Sequence, residues 1–303
     1  MYNKVSDYYK EKYGSKIYKL SLKGADTCPN RDGRVGVGGC IFCSSKGSGE
    51  FCEEKIGSVS EQLERAKERV SKKIKDGKYI AYFQSFSNTY GDVNYLKRLF
   101  LEAIKPGYIV GIAIGTRPDC LGDEILDVLS EINTKKPVTI ELGLQTSNDT
   151  TAEYINRCYE TQVFDTAVKN LKARGIEVVA HMIIGLPFES EADMINTARH
   201  IANSGADGVK FHLLHILKGT KLAQEYENGV FSALDLETYA QILKNCIEAI
   251  SPKMTVHRIT GDPPKSELIA PLWSADKKRV LNYINKYFKD QNLVQGKNYK
   301  APF

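Results

Sequence analysis

The sequence predicts an α/β fold: a partial (βα)6 TIM-type barrel, open on one side, with a small C-terminal extension. Three observations predict it. Apolar runs of strand length alternate with amphipathic stretches of helix length from Ile17 to Ile250. Runs such as Tyr108-Ile109-Val110-Gly111-Ile112-Ala113-Ile114 are continuously apolar, which suits a parallel sheet covered on both faces. The segments of unusual composition all follow strands, where a βα barrel builds its site.

The elements follow in order. Ile17 to Leu22 reads as a strand after a turn at Tyr13-Gly14-Ser15-Lys16. Residues 23–52 hold many Gly, Cys and polar residues, and a loop this long inside a compact domain is usually functional. Ser58 and Glu61 make a capping-box pattern, and Val59, Leu63, Ala66, Val70 and Ile74 follow at helical spacing. Strands are expected at Tyr79–Phe86, Tyr108–Ile114, Val138–Leu144, Ile176–Ile184 and Val209–Leu214. Helices are expected at Val93–Ile104, Asp123–Ile132, Thr151–Asn156, Phe164–Arg174, Glu191–Asn203 and Leu236–Ile250. That makes six strand-plus-helix units, short of the eight of a closed barrel. The predicted organisation is a barrel over 1–250, with its special loop at 23–52, and an extension over 251–303 that closes the barrel side. Within the extension, Met254–Ile259 suits a strand and Lys277–Phe288 a helix.

The 303 residues are 42% hydrophobic and 26% charged, the balance of an ordinary soluble globular protein. No run of 18 apolar residues occurs, so no membrane span is expected. The N-terminus lacks an apolar signal core, so a cytoplasmic location with seven reduced cysteines is expected. Net charge is +5, concentrated at the ends. Residues 1–23 carry six lysines against Asp7 and Glu11, and residues 276–303 carry seven basic residues against Asp276 and Asp290. Tyr2, Tyr8, Tyr9, Tyr13 and Tyr18 interleave with the first group, and Tyr283, Tyr287 and Phe288 with the second. Cation plus aromatic suits RNA contact. Solvated faces with packed tyrosines account for the same pattern.

Cys28 precedes Gly38-Gly39-Cys40-Ile41-Phe42-Cys43 across a glycine-rich loop. The Cys40-x-x-Cys43 pair brings two thiolates to one metal centre, and Cys28 can fold back as a third. Three thiolates on a cubane cluster leave one iron open to an outside ligand. A structural zinc site completed by Cys52, or a redox pair, fits the cysteines as well. Cys246 falls on the apolar stripe Leu243–Ile247–Ile250 and reads as core; Cys120 and Cys158 receive no role.

Thr27-Cys28-Pro29-Asn30, Gly38 to Cys43 and Gly47-Ser48-Gly49-Glu50-Phe51 together resemble the YtqA/YhcC-type radical S-adenosylmethionine (SAM) proteins. Those are in turn related to the radical SAM domain of the Elongator catalytic subunit. The resemblance runs on through Thr116-Arg117-Pro118-Asp119, Glu141 to Thr146, Asn156-Arg157, His181 to Pro187, Lys210-Phe211-His212 and Lys218-Gly219-Thr220. It ends in His257 to Asp262 and Ala270-Pro271-Leu272-Trp273, so it covers nearly the whole chain. It implies a [4Fe-4S] cluster on Cys28, Cys40 and Cys43, with SAM on the open iron. It implies SAM-binding roles for Gln145 and Arg157, with Gln84 a further candidate and Gly185 and Leu186 near adenine. The bland alternatives are a strand-end polar residue, a salt bridge and simple packing.

Glu141 in an apolar strand needs a partner, and Arg117 is the one expected. His181 and His212 point to the same end as possible substrate contacts or satisfied core histidines. Arg258 and Asp262 are expected to close the open side around substrate, and Trp273 to anchor the core. No catalytic residue is assigned. The resemblance further implies tRNA as partner, an electron donor such as flavodoxin or ferredoxin, and no DNA or membrane partner. The reaction it implies is maturation of a wobble-uridine side chain, from carboxymethylaminomethyl to aminomethyl. A radical enzyme acting on a small metabolite and a non-enzymatic metal-bearing RNA-binding module stay open. With no room in these 303 residues for the Elongator subunit's acetyltransferase domain, acetyl-CoA chemistry is not expected.

Overall fold

The structure is a computed structural model, and it describes residues 1–47, 49, 57–71 and 77–301. Helix α1 (Val5–Tyr13) is followed by β1 (Ile17–Leu22), α2 (Val59–Ser71), β2 (Lys78–Phe83), α3 (Val93–Ile104), β3 (Ile109–Thr116) and α4 (Asp123–Lys135). Then come β4 (Val138–Gln145), α5 (Asp149–Tyr154), α6 (Thr161–Ala173), β5 (Glu177–Ile184), α7 (Glu191–Asn203), β6 (Gly208–Leu213), β7 (Ile216–Leu217) and α8 (Lys221–Glu227). The chain closes with α9 (Leu236–Ala249), β8 (Thr255–Arg258), β9 (Leu268–Ala270) and α10 (Lys277–Asp290).

Among the described residues seven strands form one parallel sheet in the order β1-β2-β3-β4-β5-β6-β8. The chain-order succession is that of a βα barrel, and the sheet is open: β1 and β8 are its two edges. It is also curled, because Lys19 on β1 and Lys210 on β6 both reach Glu141 on β4. The predicted partial barrel is therefore the fold. The seventh strand comes from the segment expected at Met254–Ile259, and it adds to the six units counted from the sequence.

Helices cover the outer face through apolar stripes such as Leu96, Leu99, Phe100 and Ala103 of α3 and Ile125, Leu126, Leu129 and Ile132 of α4. The expected capping box opens α2: the Ser58 N–H donates to Glu61 Oε2 at 2.7 Å, and Glu61 N–H donates back to Ser58 Oγ at 3.3 Å. Ile74 and Cys52 lie outside the described residues.

Helix α1 was not read from the sequence. It ends at Gly14, whose φ of 72° supplies the left-handed C-cap. It closes the N-terminal end of the barrel: Tyr9 packs with Ile80, Tyr82 and Ala113, and Val5, Tyr8 and Tyr13 pack around them. Lys4 pairs with Val256 of β8, so the helix also ties the two sheet edges together. The N-terminal tyrosines are thus packed rather than displayed. Tyr8 donates to Glu177 at 3.0 Å, and Tyr2 sits edge-on against Phe288 at 6.0 Å. No helix among the described residues is long and apolar enough to cross a membrane.

Candidate active site

The C-terminal ends of the strands surround a cavity of about 420 Å³, within the usual range for a small-molecule site. Cys28, Cys40 and Cys43 line its mouth; Tyr82, Glu141, His181 and Lys210 line its floor.

The cysteine loop is held by its own polar residues. Asn30 accepts from the Gly39 N–H through its backbone at 2.8 Å. Its side chain donates to Cys40 Sγ at 3.5 Å and to the Asn156 carbonyl at 3.2 Å. The Asn156 side chain donates to the carbonyls of Val37 and Gly39, at 3.1 and 2.7 Å. Arg31 donates to the Ser44 carbonyl at 2.7 Å and lies against Gly39, where an added Cβ would stand 2.7 Å from the guanidinium. Ile41 packs with Ile155, Leu186 and Leu222 and so anchors the loop to the barrel rim.

The three thiols fit the implied cluster. They line one cavity, and hydroxyl and amide groups already donate to two of the sulfurs: Ser87 to Cys28 at 3.2 Å, and Asn30 to Cys40. Burial pushes the Cys40 thiol up to about 12 and raises Cys28 as well, with the neighbouring Cys43 adding to both shifts. A bound metal cation reverses that balance and holds a coordinating sulfur as thiolate. Among the described residues no three His, Cys, Asp or Glu groups converge on a single-ion site. A cubane asks for another arrangement, since each thiolate takes a separate iron at its own corner.

Gln145 ends β4 with φ of 69°, a left-handed conformation that costs a non-glycine residue about 1 kcal/mol. The ladder to β5 shifts register there, and the side chain lines the cavity beside Gly143. Arg157 is 1% exposed. Its Nη1 donates to the carbonyls of Leu144 and Thr146, at 2.8 and 2.5 Å, on either side of Gln145. Its Nε donates to the Tyr159 carbonyl at 2.9 Å, and Nη2 to Asp149 at 2.9 Å and Thr161 at 3.3 Å. All five N–H donors are therefore taken by the protein. Gln84 lines the cavity beyond β2. Gly185 (φ 95°) and Leu186 do not line it; Leu186 packs behind the cysteine loop.

The expected pairing of Glu141 with Arg117 is not what the structure has. Arg117 forks onto Asp119 at 2.9 and 2.7 Å. Glu141, fully buried, accepts from Lys19 at 2.6 Å, Tyr82 at 2.6 Å, Lys210, and His181 Nε2 at 3.0 Å. Register explains the choice. Glu141 stands opposite Gly115 of β3, so no side chain rises there and the carboxylate is free to turn across the interior. Burial would raise the Glu141 carboxyl, but Lys19 and Lys210 hold it well below the usual range. Burial pulls the Lys210 ammonium down to about 7 and the His181 imidazole down to about 4. The sequence signal for Lys210 was available: a lysine inside the apolar strand Val209–Leu214. Lys19 and Tyr82 carried no comparable signal.

His212, His215, Arg258 and Asp262 also line the cavity. Asp262 is bonded by Lys277. Trp273 packs on Tyr239 with centroids 5.8 Å apart and donates to the Leu234 carbonyl at 3.0 Å, as a core anchor would. Cys246 is fully buried in the core.

An open parallel half-barrel with three cysteines at the mouth of its cavity defines the class: a radical SAM enzyme. Comparison with known proteins agrees. Residues 27–201 match the model of the Radical SAM superfamily, and residues 206–290 that of the Radical SAM C-terminal domain. The protein YtqA of Bacillus subtilis (strain 168) is 43% identical over 98% of this chain and 92% of its own. YhcC of Escherichia coli (strain K12) is 34% identical over 96% of this chain and 93% of its own. The solved structure of the archaeal Methanocaldococcus infernus Elp3 shares the fold: TM-score 0.71, 15% identity, 92% of this chain and 64% of that one. The chain belongs to the radical SAM superfamily and, within it, to the YtqA/YhcC family.

Proposed function

We propose that this enzyme binds a [4Fe-4S] cluster through Cys28, Cys40 and Cys43, and acts on a wobble uridine of tRNA, taking the carboxymethylaminomethyl side chain toward aminomethyl. The single observation that carries the cofactor assignment is the common cavity of the three cysteines, with donors from Ser87 and Asn30 already on the sulfurs. When bound, such a cluster reductively cleaves SAM and supplies a 5′-deoxyadenosyl radical that removes hydrogen from substrate.

The chain's own residues then have plain tasks. Gln145 and Gln84, at strand ends on the cavity wall, offer polar groups to SAM. Arg157 acts through Gln145: it clamps the two carbonyls that flank the strained residue. The buried floor shields the reacting centre from water and sets its charge. Family resemblance to the Elongator subunit supports the tRNA substrate, and flavodoxin or ferredoxin suits the electron donor.

The test of the substrate compares modified nucleosides in tRNA from cells with and without the gene. Accumulation of the carboxymethylaminomethyl form without the gene is expected. An unchanged wobble-uridine profile, with 5′-deoxyadenosine still made by the purified enzyme, would move the assignment to a small metabolite.

A further inference from the structure

The cavity floor carries more positive charge than its carboxylate neutralises. Lys210 and Arg258 line the cavity, and Lys19, outside its lining, reaches the same Glu141, so three basic groups stand around one carboxylate; Asp262 is taken by Lys277. Lys210 and Arg258 are register partners on the neighbouring parallel strands β6 and β8. Lys210 has Glu141; the Arg258 guanidinium has no hydrogen-bond or ion-pair partner among the described residues, although the residue lines the cavity. Beside them, His212 Nε2 and His215 Nε2 are buried without a partner. His215 is brought close by Gly261, where an added Cβ would lie 2.6 Å from its ring. Buried polar groups are normally satisfied, and a group of them facing one cavity marks where a ligand completes the bonding.

We infer that Arg258, with Lys210 and His212, forms a subsite that holds a substrate carboxylate on the cavity floor, with Arg258 as the specificity-determining residue. A guanidinium fork matches the two oxygens of a carboxylate, and neutral imidazole can donate to the same group. A compact monoanion offsets part of that surplus and brings one negative charge fewer beside Glu141 than a dianion would. A site built to bond a carboxylate rejects an analogue that lacks it, because its own buried groups are then left unpaired. The inference deepens the wobble-uridine reading, whose substrate arm ends in a carboxylate, and it rests on that reading for the arm's identity.

The test measures binding to the anaerobically reconstituted enzyme with SAM present and no reductant. The probes are 5-carboxymethylaminomethyluridine, N-benzylglycine, which carries the same arm on a plain ring, and the methyl ester of each. Both acids are expected to bind at least tenfold more tightly than their esters. Arg258→Gln is expected to remove that preference while changing SAM affinity less than twofold. Arg258 pairs with no carboxylate, so its replacement leaves no buried charge behind, and the acid-to-ester comparison in the unmodified enzyme needs no variant at all. Equal binding of acids and esters overturns the inference, as does an Arg258→Gln effect on SAM in place of the acids. Preference for N-benzylglycine with no binding of the nucleoside keeps the subsite and removes the wobble-uridine reading. Nucleoside binding that ignores esterification does the reverse.

Discussion

Glu141 and Lys210 bond across the barrel interior although β5 lies between their strands. Lys19 reaches the same carboxylate at 2.6 Å although β2 and β3 lie between its strand and β4, a span of about 14 Å that only a curled sheet closes, so the cluster reports on the curvature as well as on charge. Lys19, Tyr82 and His181 complete the shell around the carboxylate. Removing one member of a buried ion pair typically costs about 3–5 kcal/mol, because the partner stays buried without compensation. Glu141→Gln is therefore expected to lower unfolding free energy by about that amount in urea titration. Lys210→Met added to it is expected to restore a measurable part. A Glu141→Gln enzyme as stable as the parent would show the floor to be hydrated.

The barrel was legible in the sequence because its strands are long apolar runs separated by strongly periodic helices, as in Val93–Ile104 and Glu191–Asn203. One helix was not, nor was the place in the sheet of one strand, itself expected at Met254–Ile259. Helix α1 has tyrosines and lysines where an apolar stripe would be, and its buried face becomes apparent only when Tyr9 meets Tyr82 inside the barrel. Strand β8 is four residues long with His257 and Arg258 in it, so no period announced that it extends the sheet. At the site, motif order was enough to bring the cysteines and Gln145 to one cavity. The partner of Glu141 was not legible, since pairing depends on which inward positions three separate strands bring to one depth. Nor was the full engagement of Arg157, which depends on the turn after β4.

Acid is expected to destabilise the protein earlier than its carboxylates alone would. Burial lowers His181 and His215 to about 4 and holds His212 and His257 well below their usual value. Between pH 6.5 and 4 the unfolded chain therefore binds protons that the folded chain refuses, and stability falls as pH falls through that window. Each such group contributes a slope of up to about 1.4 kcal/mol per pH unit. Urea midpoints measured at pH 7.5, 6.5 and 5.5 should drop with rising steepness. A flat response across this range would mean that the imidazoles reach water.

Gln145 and Arg157 should separate stability from cofactor affinity. Gln145→Gly relieves a left-handed φ but adds backbone freedom to the unfolded chain, so stability is expected to change by less than about 1 kcal/mol. SAM binding should weaken markedly. Arg157→Lys loses most of five bonds, among them those to the Thr146 and Tyr159 carbonyls, while Asp149 keeps Thr161 and the Leu144 carbonyl keeps the Thr146 N–H; a loss of about 3 kcal/mol is expected. Thermal unfolding of both variants, beside SAM equilibrium dialysis, checks the pair. If Arg157→Lys folds as stably as the parent and only SAM binding falls, its donors serve the cofactor and not the β4 turn.

Cysteine substitutions decide the ligand set. Cys40→Ser removes a thiolate from the mouth of the cavity and is expected to abolish cluster assembly, read as iron and sulfide content after anaerobic reconstitution. Cys246→Ser replaces a fully buried sulfur in the core and should leave cluster content unchanged, with any loss appearing in stability alone. Cys52 is the informative control. As the fourth ligand of a structural zinc site it would be required, whereas a site-differentiated cluster needs three thiolates and leaves one iron for SAM. Cys52→Ser is therefore expected to keep iron, sulfide and the brown chromophore and to go on producing 5′-deoxyadenosine on reduction. Loss of metal in Cys52→Ser, with stoichiometric zinc in the parent protein, would overturn the assignment of Cys28, Cys40 and Cys43 as cluster ligands.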